Sequence, residues 1–249
     1  MRTALAAVAE SEQRLDATVA ALTDEQVRQP SLLPGWSRAL VITHIARNAD
    51  SNTAMVAAAL RGEQLAQYPG GPEQRARDIA LGDTRSAGEL LADLRAAAAG
   101  WREMFSTVAG DQWGLIVPAG VGPRPVRQRV ASRRLEVEVH HADLGLAYTW
   151  RDWPVDFVSD ELRRAIRALP ARWTPDAPVG RWRIGDRTVV VTSEGAEVVD
   201  ATGDEDGEVD GSAAGLMAWL LGRVSAVDGE LIIRGAPEVA ALPGWFPFP

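Results

Sequence analysis

Over 249 residues the chain carries 34 acidic side chains against 26 basic ones, and its charge of −8 repels a nucleic-acid backbone and favours small molecules as partners. It has no cysteine and no lysine, which excludes disulfides, thiolate metal ligands, a cysteine nucleophile and Schiff-base chemistry. Its 46% apolar content supports one large core or two ordinary ones, while no apolar run approaches the roughly 20 residues that cross a bilayer.

Leu5, Val8, Leu15, Val19 and Leu22 recur at helical spacing and predict a first long helix over 2–22. Glu10 and Glu12 interrupt any apolar leader within it, so no secretory signal is read and the cytoplasm is the expected compartment. Residues 23–33 read as a short helical turn and a loop that runs on through Pro34, Gly35 and Trp36. Ser37 then caps a second long helix, with Trp36 placed to staple onto Val41 and His44 two turns inside. Gly62 and the break Tyr68-Pro69-Gly70-Gly71-Pro72 end it. A third helix spans 86–108, opened by the capping-box pair Ser86 and Glu89, with Leu90, Leu94, Ala97, Trp101 and Phe105 on its apolar face. The apolar connection 113–123 is expected to lie over the helices, and a fourth helix fills 125–148. Four such helices predict an all-α four-helix bundle over residues 1–150, an architecture that builds metal sites from inward side chains of neighbouring helices.

The pattern changes after Trp150. Trp153-Pro154 marks a linker, 159–169 a helix and the proline-rich 170–178 a loop. Short β-rich runs follow at 181–184, 188–192, 197–199 and 230–233, with turns at Gly185-Asp186 and Glu194-Gly195 and a helix over 212–223 between the last two runs. They predict a small α+β domain with an antiparallel sheet over residues 151–249. The acidic run 204–210 reads as a solvated turn, because an EF-hand loop would need a carboxylate at position 213, which is Ala213.

Two of the only three histidines fall in the segment 133–143. Glu136 and His140, four residues apart, share one face of the fourth helix and can point at one ion. That spacing alone is common on helix surfaces. His44, on the apolar stripe of another helix, offers a third ligand; without a metal the same residues make a buried His44–Glu136 hydrogen bond. Two imidazoles and a carboxylate suit Zn²⁺ with the fourth position open, and nickel, cobalt or iron can use the same donors. His141 lies about 100° further round the helix and reads as packing. Asp143 either orients a ligand from behind or pairs with Arg47, the pairing being the favoured reading.

The stretches Leu33-Pro34-Gly35-Trp36-Ser37-Arg38, Thr43-His44-Ile45-Ala46-Arg47-Asn48-Ala49-Asp50, Glu136-Val137-Glu138-Val139-His140-His141-Ala142-Asp143-Leu144 and Asp152-Trp153-Pro154 resemble the mycothiol-dependent maleylpyruvate isomerase family. Members join a DinB-like metal-binding bundle to a small C-terminal SCP2-like α+β domain. The resemblance implies that His44, Glu136 and His140 are metal ligands, with Zn²⁺ or another divalent ion as cofactor and mycothiol, a low-molecular-weight thiol, as cosubstrate. It also implies a catalytic arginine in the C-terminal domain, carried over to Arg223 of Trp219-Leu220-Leu221-Gly222-Arg223 with Arg234 in reserve. An equal reading of Arg223 is a cation favoured by a helix C-terminus.

The implied activity is cis–trans isomerisation of an electrophilic dicarboxylate such as maleylpyruvate. A thiolate adds to the double bond, the new single bond rotates and elimination returns the thiol. A thiol S-transferase needs the same site, and a non-catalytic bundle that binds a ligand is the alternative of another class.

Overall fold

The computed structural model describes residues 1–118 and 122–245 and divides into two compact units, Met1–Ala147 and the part from Tyr148 onward. The division falls just ahead of the expected boundary at 150/151.

In the first unit, helices α1 (Arg2–Ala20), α2 (Asp24–Arg28), α3 (Arg38–Leu60), α4 (Gly71–Ala80) and α5 (Ala87–Thr107) precede a short antiparallel ladder, and α6 (Val126–Asp143) follows it. The ladder pairs β1 (Ile116–Val117) with β2 (Arg124–Pro125). Residues 119–121 of the connection expected to cover the bundle lie outside the described residues, but Val117 beside them is fully buried in the bundle core. Helices α1, α5, α3 and α6 pack in that order around a ring, so α3 and α6 are neighbours. Leu15, Ile42, Ile45, Met55, Leu90, Trp101, Phe105 and Val137 fill the centre. The expected caps form: Ser37 Oγ accepts from Leu40 N at 3.2 Å, and Ser86 and Glu89 close a reciprocal box.

Two boundaries differ from expectation. Helix α4 begins inside the break read at 68–72 and runs on through residues 73–80, where the sequence predicted no element. Gly71, at φ +73°, turns the chain, and Pro72 then sits in the first helical turn, where its missing N–H removes no bond. Helix α6 ends at Asp143, five residues short of the expected 148, because Gly145 turns the chain at φ +64°. Its end is tied to the segment entering α3. Leu32 N donates to Asp143 O at 2.8 Å, and Arg38 Nε donates to Leu144 O at 2.8 Å. These bonds set the register of α6 along α3.

A buried ion network reinforces that register. Arg133, with 0% of its surface exposed, donates from Nη1 to Ile45 O at 2.8 Å and from Nε to Glu12 Oε1 at 3.0 Å. Arg102 holds the other Glu12 oxygen at 2.6 Å. One arginine of α6 thus touches the α3 backbone next to His44 and the α1 carboxylate together.

The second unit contains α7 (Val155–Ala168), β3 (Gly180–Ile184), β4 (Arg187–Thr192), β5 (Gly195–Asp200), β6 (Gly207–Asp210), α8 (Ala213–Leu220) and β7 (Ile232–Gly235). The sheet runs β5-β4-β3-β6-β7 and is antiparallel except where β3 and β6 run parallel, with Trp182 opposite Gly207. Ile166, Leu169, Leu216, Trp219 and Leu220 pack with Trp182, Ile184, Val189, Val191 and Val209 in its core.

Strand β6 corrects the solvated-turn reading of the acidic run. Gly207 and Val209 are buried while Glu208 and Asp210 alternate with them on the other face. Glu208 faces Arg183 on one side and Arg234 on the other, and pairs with both. Cross-strand arginines therefore neutralise a run whose charge alone argues against a strand. Among the described residues no helix is long and apolar enough to cross a membrane.

Candidate metal centre

The neighbouring helices α3 and α6 bring all three sequence-predicted ligands together. His44 Nε2 lies 3.1 Å from Glu136 Oε2 and 3.2 Å from His140 Nε2, and His140 Nε2 lies 3.4 Å from Glu136 Oε2. A tetrahedral ion with bonds of about 2.0–2.1 Å separates its ligand atoms by about 3.3 Å. The triangle already has that size. Among the described residues this is the one cluster of three or more histidine and carboxylate ligands within reach of a single ion.

Helical periodicity explains which side chains of α6 take part. Glu136 and His140 stand one turn apart on the α3 side, whereas Glu138 and His141 turn to α1. There Glu138 accepts from Ser11 and Arg14, and His141 Nε2 lies 2.8 Å from Thr18 Oγ1. His141 is packed against the neighbouring helix.

The two histidines of the cluster differ in what stands behind them. His140 Nδ1 lies 2.8 Å from Asp143 Oδ2, one helical turn away, so a buried carboxylate orients this ring. This corrects the favoured Asp143–Arg47 pairing. Arg47 instead spans Asp50 at 2.9 Å and Asp93 at 2.6 Å, because α5 supplies a carboxylate on the outer side of α3. Behind His44 stand the Trp36 ring, edge-on with centroids 5.8 Å apart, and the Arg75 guanidinium, whose Nη2 is 3.2 Å from His44 Nδ1. Arg75 escaped the sequence reading because its helix did. Pro72 after a glycine pair, followed by good helix formers, was the signal.

Electrostatics follow these contacts. Burial lowers the His44 pKa, and the Glu136 carboxylate offsets this only in part. Burial also opposes charge on His140, but hydrogen bonds to Asp143 and Glu136 outweigh it and push that pKa up to about 9. Burial would raise Glu136, yet the two imidazoles hold its carboxyl well below the usual range. The group is an anionic acceptor facing two rings, with 29% of the Glu136 side chain open to solvent.

The two arginines considered in the second unit have structural partners. Gly222, at φ +68°, and Arg223 close α8 by a Schellman cap, with Gly222 N bonded to Trp219 O and Arg223 N to Ala218 O, both at 2.9 Å. The Arg223 guanidinium donates to Leu221 O at 2.9 Å, which places a cation at the helix C-terminus. Arg234 sits on β7 and pairs with Glu208 at 3.6 Å and Asp210 at 3.8 Å.

Among curated proteins the chain has no match. Solved structures share its fold. The crystal structure of the mycothiol-dependent maleylpyruvate isomerase aligns with a TM-score of 0.76 at 22% identity over 90% of each chain. That of a histidine-to-alanine mutant of the mycothiol-dependent maleylpyruvate isomerase aligns with a TM-score of 0.78, also at 22% identity, over 95% of each. The sequence model of the mycothiol maleylpyruvate isomerase N-terminal domain matches residues 8–145, a span that holds His44, Glu136 and His140 and more than half of the chain. The chain belongs to the mycothiol maleylpyruvate isomerase family, through its N-terminal helical bundle.

Proposed function

We propose that this chain is a metal- and mycothiol-dependent cis–trans isomerase of a small unsaturated dicarboxylate such as maleylpyruvate. The observation that carries the reading is the His44–Glu136–His140 triangle, whose size suits a divalent ion with a fourth position open. Two imidazoles and a carboxylate favour Zn²⁺, as in catalytic rather than structural sites. The family match supports the thiol and the substrate class of this reading.

Each residue has a task in this reading. Asp143 keeps a proton on His140 Nδ1, leaving the Nε2 lone pair turned inward. Glu136 stays ionised, and the Trp36 ring packs at right angles to the His44 ring. A divalent ion held by the three ligands would bind the thiol sulfur at its open position and stabilise the thiolate near neutral pH, supplying a nucleophile the cysteine-free chain lacks. The thiolate adds to one carbon of the cis double bond, and the electron pair moves to the conjugated carbonyl oxygen. The bond left single rotates. Return of the pair expels the thiolate and forms the trans double bond, so thiol and protons balance. Arg223 is the proposed holder of a substrate carboxylate by a bidentate pair, a role carried over from the family resemblance. The acidic chain would work in the cytoplasm on small molecules, without nucleic acid as partner.

The test incubates metal-loaded protein with maleylpyruvate and substoichiometric mycothiol and follows products by NMR. Many turnovers to the trans isomer per thiol are expected. Stoichiometric thiol consumption with a stable thioether would identify an S-transferase instead, and no reaction of any kind would overturn the enzyme reading.

A further inference from the structure

Arg75 has a hydrogen-bonding arrangement that bears directly on the triad. A guanidinium only donates, so at the 3.2 Å contact His44 Nδ1 must be the accepting nitrogen. The proton of the neutral ring then sits on Nε2, where it faces Glu136 Oε2 at 3.1 Å. A metal needs the opposite tautomer, with the Nε2 lone pair on the ion and the proton on Nδ1. His140 has the compatible arrangement, because a carboxylate acceptor faces its Nδ1. The two histidines are therefore set in opposite senses by the groups behind them, and the Arg75–His44 bond cannot coexist with an ion on His44.

A second observation concerns charge. The other charged residues of α4 pair locally, Glu73 with Arg77 at 3.8 Å, while Asp78 accepts from Gln74 at 2.6 Å. Arg75 has no carboxylate partner in the described residues. Its contacts are His44 and the ring of Tyr68, with Cζ 5.2 Å from the centroid. In a chain with 34 acidic residues against 26 basic ones, a half-buried guanidinium left without a carboxylate beside a ligand histidine is available for an anion that arrives with the reaction.

We propose that Arg75 is displaced from His44 when the triad takes up its ion and then holds a carboxylate of the acidic substrate beside the open coordination position. The proposal rests on the reading of the triad as a metal site. Arg75 thereby couples the two binding events. Without metal its guanidinium occupies the ligand histidine, and with metal it turns to the substrate, still backed by Tyr68. Removing it should ease metal entry and weaken dicarboxylate binding, opposite effects that a purely structural arginine would not produce.

The experiment compares wild type with Arg75→Ala and Arg75→Lys. Zinc affinity is read by competition with a chromophoric chelator, and binding of succinate, a dicarboxylate with no double bond to react, is read by calorimetry on the zinc-loaded proteins. Arg75→Ala is expected to bind zinc about two- to tenfold more tightly, as loss of one competing hydrogen bond implies. It should bind succinate at least about tenfold more weakly, as loss of one charge-assisted bidentate pair implies. Arg75→Lys should recover part of the succinate affinity, and it carries the test if the alanine variant misfolds. Wild type that takes up no zinc would overturn the metal reading and this proposal with it. Zinc-binding wild type whose Arg75 variants match it in both affinities would overturn the Arg75 proposal alone.

Discussion

Replacing Asp143 by leucine isolates the contribution of the group behind His140, a proposed metal ligand. The Asp143 side chain is 2% exposed, and its Oδ2 lies 2.8 Å from His140 Nδ1. Leucine has similar bulk, so the main loss is the acceptor that orients the ring and raises its basicity. Removal of such an outer partner weakens metal binding by about 10–100-fold, equivalent to about 1.4–2.7 kcal/mol. An independent figure agrees, since a hydrogen bond to a charged group contributes about 1.5–3 kcal/mol. Asp143→Asn retains a neutral acceptor and should lose less than about tenfold. Chelator competition at pH 9.5, above the raised His140 pKa so that no proton on that ring competes with zinc in any variant, measures all three proteins, with circular dichroism to confirm folding. A folded leucine variant binding zinc within twofold of wild type would falsify the assignment of Asp143 as the residue that sets the His140 tautomer.

Two further outcomes test the electrostatics. His140 is held at about 9 without metal and is therefore protonated at pH 7, while the ion needs its Nε2 lone pair. Zinc uptake at pH 7 should release about one proton, and apparent affinity should climb about tenfold per pH unit before flattening above about 9. Calorimetry in buffers of different ionisation enthalpy measures this, and zero release at pH 7 would contradict it. The same raised pKa makes the His140 contribution to metal-free stability complete below 6.5 and lost as pH rises through about 9. Glu12→Ala leaves the fully buried Arg133 without its carboxylate and should destabilise the first unit by about 3–5 kcal/mol, read from the urea midpoint. A loss below about 1 kcal/mol would mean that Arg133 finds another partner or water.

Local chemistry explains what was legible. Ser37, Ser86 and Ser212 were readable as helix starts because each cap is a bond within four residues. The Glu136–His140 pair was readable because helical rise and rotation alone put residues four apart on one face. Strand β6 was not readable, since its acidic residues argue for solvent until Arg183 and Arg234 arrive from strands separated from it in sequence. Arg75 was missed for a local reason, the weight given to Gly70-Gly71-Pro72 as a stop when proline also starts helices.

By itself the sequence determined the helical periods, the caps, the absence of thiol and amine chemistry, and the short set of residues able to hold an ion. These follow from covalent geometry and from residue types that are present or missing. Only the tertiary structure decided the partners of those residues. Asp143 could reach either Arg47 or His140 by helical spacing, and the choice fell to His140 because α5 brings Asp93 to Arg47. His44 met Glu136 and His140 because the bonds from Leu32 and Arg38 tie the end of α6 to the start of α3. Such choices depend on which helices become neighbours, a property of the packed chain that no local spacing contains.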